Sequence, residues 1–480
     1  MRRIFIPLLA MCLLVPFGAG AAETGPRVVV EDGDPSGEIE LVGHSALGNR
    51  GMNAALAIHG DYAYVGSRTD GTHPNAGIMI VDIKDPETPE VVGQIGPPDV
   101  GNRGETSREM RVWPEEDILI VLNLASNCSY LIHLCSPESA TKSDTYLFFD
   151  ISGDKAAAPE LLSSFVPDKS PHEFFIWDDP KKKGRTLMYQ SNTSAGVQFT
   201  VTDISGAREG KFTDIAEFQT LITTPGDNRL HSMTVTNNGK RVHIAALGGG
   251  YLEADSSQVA AGKRKPKIKL VTNMADHPTW GNPGAHSAVK FYGRDYVLAA
   301  DEVYGYAPGL LADHGCPWGW VRIIDIRNHK KPKVISEFKL EENTQEFCDS
   351  PTDNDPVRNS TSSYSAHNPT LTRNLAVMSW HAGGLQVLDI SNPAKPGQAA
   401  EYVPEPLPYV LREDPVLTSG HDKVAMWSFP IIRDGLIYVT DIRNGLYILR
   451  YKGPFEKEID SVRFLEGNSN FGDALKLEKP

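Results

Sequence analysis

One segment of this chain recurs. An apolar, strand-like run ends in Asp-Ile, passes through a polar turn that often holds proline, and resumes as a second apolar run. It reads GIMIVDIKDPETPEVVGQI from Gly77, YLFFDISGDKAAAPELLSSF from Tyr146 and VQFTVTDISGAREGKFTDIAEF from Val197. It returns as VRIIDIRNHKKPKVISEF from Val321 and LQVLDISNPAKPGQAAEY from Leu385. Asp82, Asp150, Asp203, Asp325 and Asp389 therefore share one column. An aspartate that follows a β run hydrogen-bonds its own turn backbone, so the column reads as structural. Two further apolar runs precede the pair, as in AVKFYG then DYVLAADE, or PTLT then NLAVMSW. Their alternation and β-branched content mark strands, and no stretch of helical period competes.

Each unit thus holds four strands, A to D from the inside outward. Strand A starts near Asn53, Arg108, His172, His231, His286, His367 and Trp427, at spacings of about 55 to 80 residues. Seven such units predict an all-β, seven-bladed β-propeller over residues 23–453, with 454–480 as a C-terminal tail. The last unit runs WSFPII, GLIYVTD and GLYILRYKGP and then lacks a fourth strand. Glu38–Ser45 resembles PEVVGQI and has no A to C strands ahead of it, so it is expected to complete the last blade and close the ring. Closure removes exposed strand edges. The fourth unit is the weakest match: its third strand, near Tyr251 to Val259, is degenerate and its fourth is the basic KPKIKLV run.

Residues 1–22 read as a secretory leader, with Arg2-Arg3, an apolar run from Ile4 to Phe17 and small residues through Ala22, cleaved near 21–22. No later stretch is long and apolar enough to insert in a membrane. The net charge is −14, and losing the two leader arginines makes it more negative. That balance argues against nucleic acid or an anionic membrane as partner. An exported chain, periplasmic or extracellular, keeps Cys128, Cys135, Cys316 and Cys348, an even set that suggests two disulfides. No CxxC or CxxCH occurs, which argues against thioredoxin-like chemistry and covalent haem. Phosphate-binding glycine loops, a nucleophile elbow and HExxH are absent, so no nucleotide is expected. Asp32-x-Asp34-x-Ser36-Gly37 starts like a calcium loop, but Gly43 stands where its last acid belongs.

Turns joining A to B and C to D are short, whereas the opposite connections are long: 96–107, 124–143, 302–318, 339–365 and 404–426. Long loops on one side of a rigid scaffold carry function. All four cysteines lie in these loops, and the pairs 128–135 and 316–348 would rigidify that face; a thiolate ligand cluster is the alternative. Four of the strand A starts on the same face are histidines, His172, His231, His286 and His367, in successive units. Four imidazoles on one ring suit copper or iron, with zinc possible, better than calcium or magnesium. Repeat ancestry offers the opposing account, in which the histidines are inherited and structural. Asn53, Arg108 and Trp427 leave one sector of the mouth without ligands, where substrate enters and Arg108 attracts an anionic group. Glu109 and Glu173, one residue on, either hold an imidazole tautomer from behind or satisfy neighbouring blades. Asp301, Glu302 and His381 at ends of B strands, and His314 and His421 in loops, read as polar rim residues; His421 is the best proton-transfer candidate among them. Trp318, Trp320 and Trp380 read as blade-packing aromatics.

These segments resemble the LVIVD-repeat proteins, exported β-propellers named for a motif that appears here as Ile78-Met-Ile-Val-Asp82. SPHEFFIWDDP from Ser170, HNPTLTRNLAVMSWHAGGLQVLDISNP from His367 and WSFPIIRDGLIYVTDIRNGLYILRYKGP from Trp427 share the resemblance, which spans most of the chain. It implies fold and export but not activity, because propellers host many unrelated functions. More distantly the chain is similar to the selenium-binding and methanethiol oxidase propellers, which are copper-linked, although their cysteine- and histidine-rich segments do not occur here. The expected function is metal-dependent chemistry on a small organic substrate, redox before lyase-type. The alternative is a non-enzymatic cell-envelope protein that uses the same face to bind a protein or glycan.

Overall fold

A computed structural model describes residues 26–31, 35–96, 103–126, 128, 132–192, 198–220, 229–280, 284–303, 316–350, 362–418, 420 and 422–479. The leader and His421 lie outside these residues. Among them, the antiparallel pairing groups strands into successive sets of four. The first is Asn53–His59, Tyr62–Ser67, Ile78–Asp82 and Glu90–Ile95, and the second Thr106–Trp113, Ile118–Leu124, Thr145–Asp150 and Glu160–Phe165. One bridge, Ser67 to Ser107, joins these two into a single sheet. The third is Pro171–Asp178, Thr186–Asn192, Phe199–Gly206 and Lys211–Phe218; the fourth is Ser232–Val235, Arg241–Ala245, Tyr251–Asp255 and Lys269–Leu270. The fifth is Gly284–Lys290, Tyr296–Glu302, Val321–Asp325 and Lys333–Lys339, with Arg27–Val30 added in parallel along its outer edge. The sixth is Pro369–Leu371, Leu375–Trp380, Gly384–Asp389 and Gly397–Tyr402. The last, Ile431–Arg433, Leu436–Asp441 and Gly445–Lys452, takes Glu38–Ser45 as its outer strand, in register from Glu38 opposite Lys452 to Ser45 opposite Leu446. The chain is an all-β propeller.

The aspartate column does what its turn chemistry requires. Asp82, Asp150, Asp203, Asp325 and Asp389 each accept a hydrogen bond from the backbone N–H two residues on, at 2.8–3.0 Å. The degenerate fourth unit keeps the device, since Asp255 accepts from Ser257 N–H at 2.8 Å. Faces of neighbouring sheets bury the core between them. Phe175 and Trp177 pack with Met233 and Ile244, Phe148 with Ile176, and Ile323 with Met378. Leu56 and Val65 of the first unit pack with Leu446 and Ile448 of the last.

Two features of the fold were not foreseen. Residues 454–479 cross the end of the sheets that carries the short A-to-B turns. Leu465–Glu466 pairs inside Ile431–Ile432, Asn470 exchanges two 2.8 Å hydrogen bonds with the Asp178 backbone, and Asn237 donates to the Ala474 carbonyl. The tail therefore ties units far apart in sequence to one segment, at the end of strand A remote from the histidines. On the opposite face, Asp70 is fully buried and accepts from Gly104 N–H, Ser136 N–H and the Ser136 hydroxyl at 2.6–2.8 Å. It thereby anchors the loop containing the disulfide Cys128–Cys135. The second disulfide, Cys316–Cys348, is also formed, and both are as the loop positions suggested. No helix among the described residues is long and apolar enough to cross a membrane.

Deleting residues 23–46 removes the outer strand of the last unit and should cost roughly 4 kcal/mol or more, the scale of losing two large buried side chains. Thermal denaturation reads this directly, and an unchanged melting curve would show that the strand is dispensable. Burial alone would raise the Asp70 carboxyl, but its hydrogen bonds outweigh that and hold it well below the usual range. A depressed carboxylate stabilises the fold above its unfolded value near pH 4 and loses that contribution as pH falls. Asp70→Asn should therefore cost roughly 1–3 kcal/mol at pH 7, with the gap to wild type narrowing on acidification below about pH 4. Urea titrations at pH 7 and pH 3 measure both halves of this expectation.

Candidate metal centre

The start of strand A is where sheets arranged about an axis come closest, so residues there meet partners from other units. His172 is the second residue of its strand, His231 precedes Ser232–Val235, His286 lies near the start of its strand, and His367 precedes Pro369–Leu371. Their rings form a continuous row: centroids are 4.3 Å apart for His172 and His231, 4.0 Å for His231 and His286, and 4.3 Å for His286 and His367. The structure thus brings together all four histidines of the column. Two further residues join them. His381, just after strand B of the sixth unit, lies 5.1 Å ring to ring from His367. Glu302, the last residue of strand B in the fifth unit, sits opposite Gly284, two positions before His286, and projects among the imidazoles.

Both were read from sequence as rim residues; the structure places them inside the cluster. The repeat carries no hint of them, because only the fifth unit ends strand B in glutamate and only the sixth follows it with histidine. Pairing of strands A and B is the signal that could have found them, since it sets the end of B beside the start of A.

Glu302 has a side chain only 6% exposed, and its ion-pair contacts are imidazoles: His367 Nε2 at 3.2 Å, His286 Nε2 at 3.4 Å, His381 Nε2 at 3.6 Å and His231 Nε2 at 3.9 Å. Glu173 Oε1 lies 3.7 Å from His231 Nδ1 and 3.8 Å from His286 Nε2. Burial, with the charge of Glu109 added, pushes the Glu173 carboxyl up. Glu109 itself turns to Arg111 at 3.3 Å rather than to an imidazole, the satisfying role rather than the tautomer-holding one. Burial drives the His172, His231 and His286 imidazoles well below their ordinary value, and His381 to about 3. Neutral rings are the form in which histidine ligates metal.

Hydrogen bonds decide which nitrogen is bare. His367 Nδ1 donates to the Trp427 carbonyl at 2.6 Å, which turns Nε2 toward Glu302 Oε1 at 3.2 Å. Both atoms are buried and neither has a hydrogen bond, and the same is true of His231 Nδ1 and Glu173 Oε2. His172 Nε2 and His231 Nε2 face each other at 2.9 Å, which requires a proton or a cation between two lone pairs. His286 Nδ1 is 2.7 Å from the Ser287 hydroxyl, so that ring is also oriented from behind. The donor atoms form three overlapping groups: His172, Glu173 and His231; His231, His286 and Glu302; Glu302, His367 and His381. Atoms within each group lie within 4.8 Å of one another. The residues present fit a transition metal by donor type, bare lone pairs and spacing.

The sector without histidines is cationic and aromatic. Trp427 packs tilted against His367 at 4.0 Å and stacks parallel on His381 at 5.5 Å, ring to ring. The Arg68 and Arg108 guanidinium carbons lie 4.4 and 5.3 Å from the same indole. Arg68 is fully buried; its Nε donates to Asp414 at 2.9 Å and its Nη1 is left without a hydrogen bond. Arg108 is close enough that its charge lowers His172 and His231. Arg68 was not expected here, being in the first B-to-C connection and outside the repeat column. Asn53 does not line the sector: its amide donates to the Asp441 and Ile442 carbonyls.

The family model described as the LVIVD repeat matches residues 50–95 and 379–403, covering the first unit and the outer strands of the sixth. No curated protein matches the chain. Among solved structures, it is similar to the Cps50 (Swd1) β-propeller domain of Myceliophteria thermophila, at 8% identity and a TM-score of 0.47, over 86% of this chain and 98% of that one. The chain therefore carries the LVIVD repeat in two of its segments and folds as an all-β propeller.

Proposed function

We propose that this protein is an exported, seven-bladed propeller, closed by its N-terminal strand, that binds a transition metal at the axial imidazole cluster and acts on a small anionic substrate. The observation that carries the metal is the convergence of five imidazoles on Glu302 and Glu173, their donor atoms falling in three overlapping groups, each within 4.8 Å. An imidazole-rich donor set suits copper or iron, with zinc next, and points to an oxidoreductase before a lyase. The two disulfides and the leader-like first residues support export.

In this reading the chain holds the metal through imidazoles oriented from behind by Trp427 and Ser287. Arg68 and Arg108 attract and orient the anionic group of the substrate beside Trp427, and the metal supplies Lewis-acid or redox chemistry when bound. His421 is retained as a proton-transfer candidate.

Protein purified without a histidine tag should contain transition metal by plasma emission analysis, and His231→Ala or His286→Ala should reduce that content at least about tenfold, a loss near 1.4 kcal/mol or more per removed donor. A tagless protein free of metal, and unable to take it up, would leave the envelope-binding alternative. Azide is a convenient anionic probe of copper-loaded protein, followed by its charge-transfer absorption. Arg108→Ala should weaken azide about tenfold, the expected worth of one charge-assisted contact. Unchanged affinity would remove Arg108 from the anion site.

A further inference from the structure

We propose that the cluster is a dinuclear centre in which the Glu302 carboxylate bridges two metal ions. The inference rests on the reading that the imidazoles bind metal and adds number and architecture to it. The two oxygens of Glu302 face different histidines. Oε1 lies 3.2 Å from His367 Nε2 and 3.6 Å from His381 Nε2. Oε2 lies 3.4 Å from His286 Nε2 and 3.9 Å from His231 Nε2. Metal–ligand bonds of about 2.0–2.2 Å place two donors on one ion roughly 2.9–4.2 Å apart for bond angles between a right angle and a straight line. All four separations fall in that window, two on each oxygen.

The donors are too spread out for one ion to use them all. His172 and His381 belong to different groups of the three that the donor atoms form, and the row of rings from one to the other takes four steps of 4.0–5.1 Å. Glu302 belongs to both groups that flank the middle of the row. A carboxylate that offers one oxygen to each of two imidazole pairs has the geometry of a bridge, and bridged ions in two-metal sites lie about 3.5–4 Å apart. One ion would take His231, His286 and Oε2, with His172 beside His231 as a further donor at 2.9 Å between ring nitrogens. The other would take His367, His381 and Oε1. The second ion, with three protein donors, would keep an open coordination position of the kind a catalytic site needs. The Arg68, Arg108 and Trp427 sector adjoins the His367 and His381 end, because Trp427 packs against both rings. A small anion held there would meet the second ion first.

Copper(II) titration of tagless, chelator-treated full-length protein tests this in the wild type, without relying on a variant that folds. Two copper ions per chain are expected by plasma emission, with the integrated electron paramagnetic resonance signal rising over the first equivalent and falling over the second as the spins couple. Glu302→Ala should hold no more than one ion, with every bound copper giving full signal. One copper per chain in wild type, unchanged by Glu302→Ala, would overturn the bridge while leaving a mononuclear metal site intact. Two ions per chain with full, uncoupled signal would also overturn it. No bound copper at all would overturn the metal reading itself, so the two failures are distinguishable.

Discussion

Sheets that present their innermost strands to a common axis force equivalent residues of different units into contact. That constraint governs the structure. His172 and His231 are 59 residues apart in the chain, yet their Nε2 atoms are 2.9 Å apart. The turn aspartates keep each unit in shape, the cores between sheets fix the units against one another, and the C-terminal segment ties their far ends together. What remains at the near end is a row of strand starts in contact with one another. Whatever residues stand there must interact, so imidazoles at that position make a cluster.

The cluster is electrostatically unusual because it gathers lone pairs out of water. A buried carboxylate is costly unless it is paired and hydrogen-bonded. Glu302 has imidazoles as ion-pair partners, and one of its oxygens lacks a hydrogen bond. Ring orientation set by the Trp427 carbonyl turns a bare nitrogen toward that oxygen. A cation resolves both deficits at once. The Arg108 guanidinium adds positive charge to one side of the site beside the indole of Trp427, while Arg68 is paired with the buried Asp414. The same arrangement that concentrates donors for a metal therefore favours an anion beside it.

Much of this was legible in the sequence because repetition makes it so. The Asp-Ile column, the strand order, the N-terminal strand and the histidine column all follow from aligning units, and the disulfides follow from which loops share a face. Residues that occur once carry no such signal. Glu302 and His381 enter the site through the pairing of strands A and B in single units, and Arg68 enters from a connection outside the repeat. The C-terminal segment has no counterpart elsewhere in the chain, and its contacts with Ile431, Asp178, Asn237 and Arg373 are long-range. Glu109 sits in the right column but turns to Arg111, a choice set by packing that spacing cannot reveal.

The central claim is that imidazoles from successive units converge on metal. X-ray absorption at the metal edge of the loaded, tagless protein tests it most directly. The account expects a shell of nitrogen and oxygen near 2.0–2.2 Å, without sulfur, together with the outer-shell scattering of at least two imidazoles per ion. A sulfur shell, or a nitrogen and oxygen shell with no imidazole scattering, would contradict it.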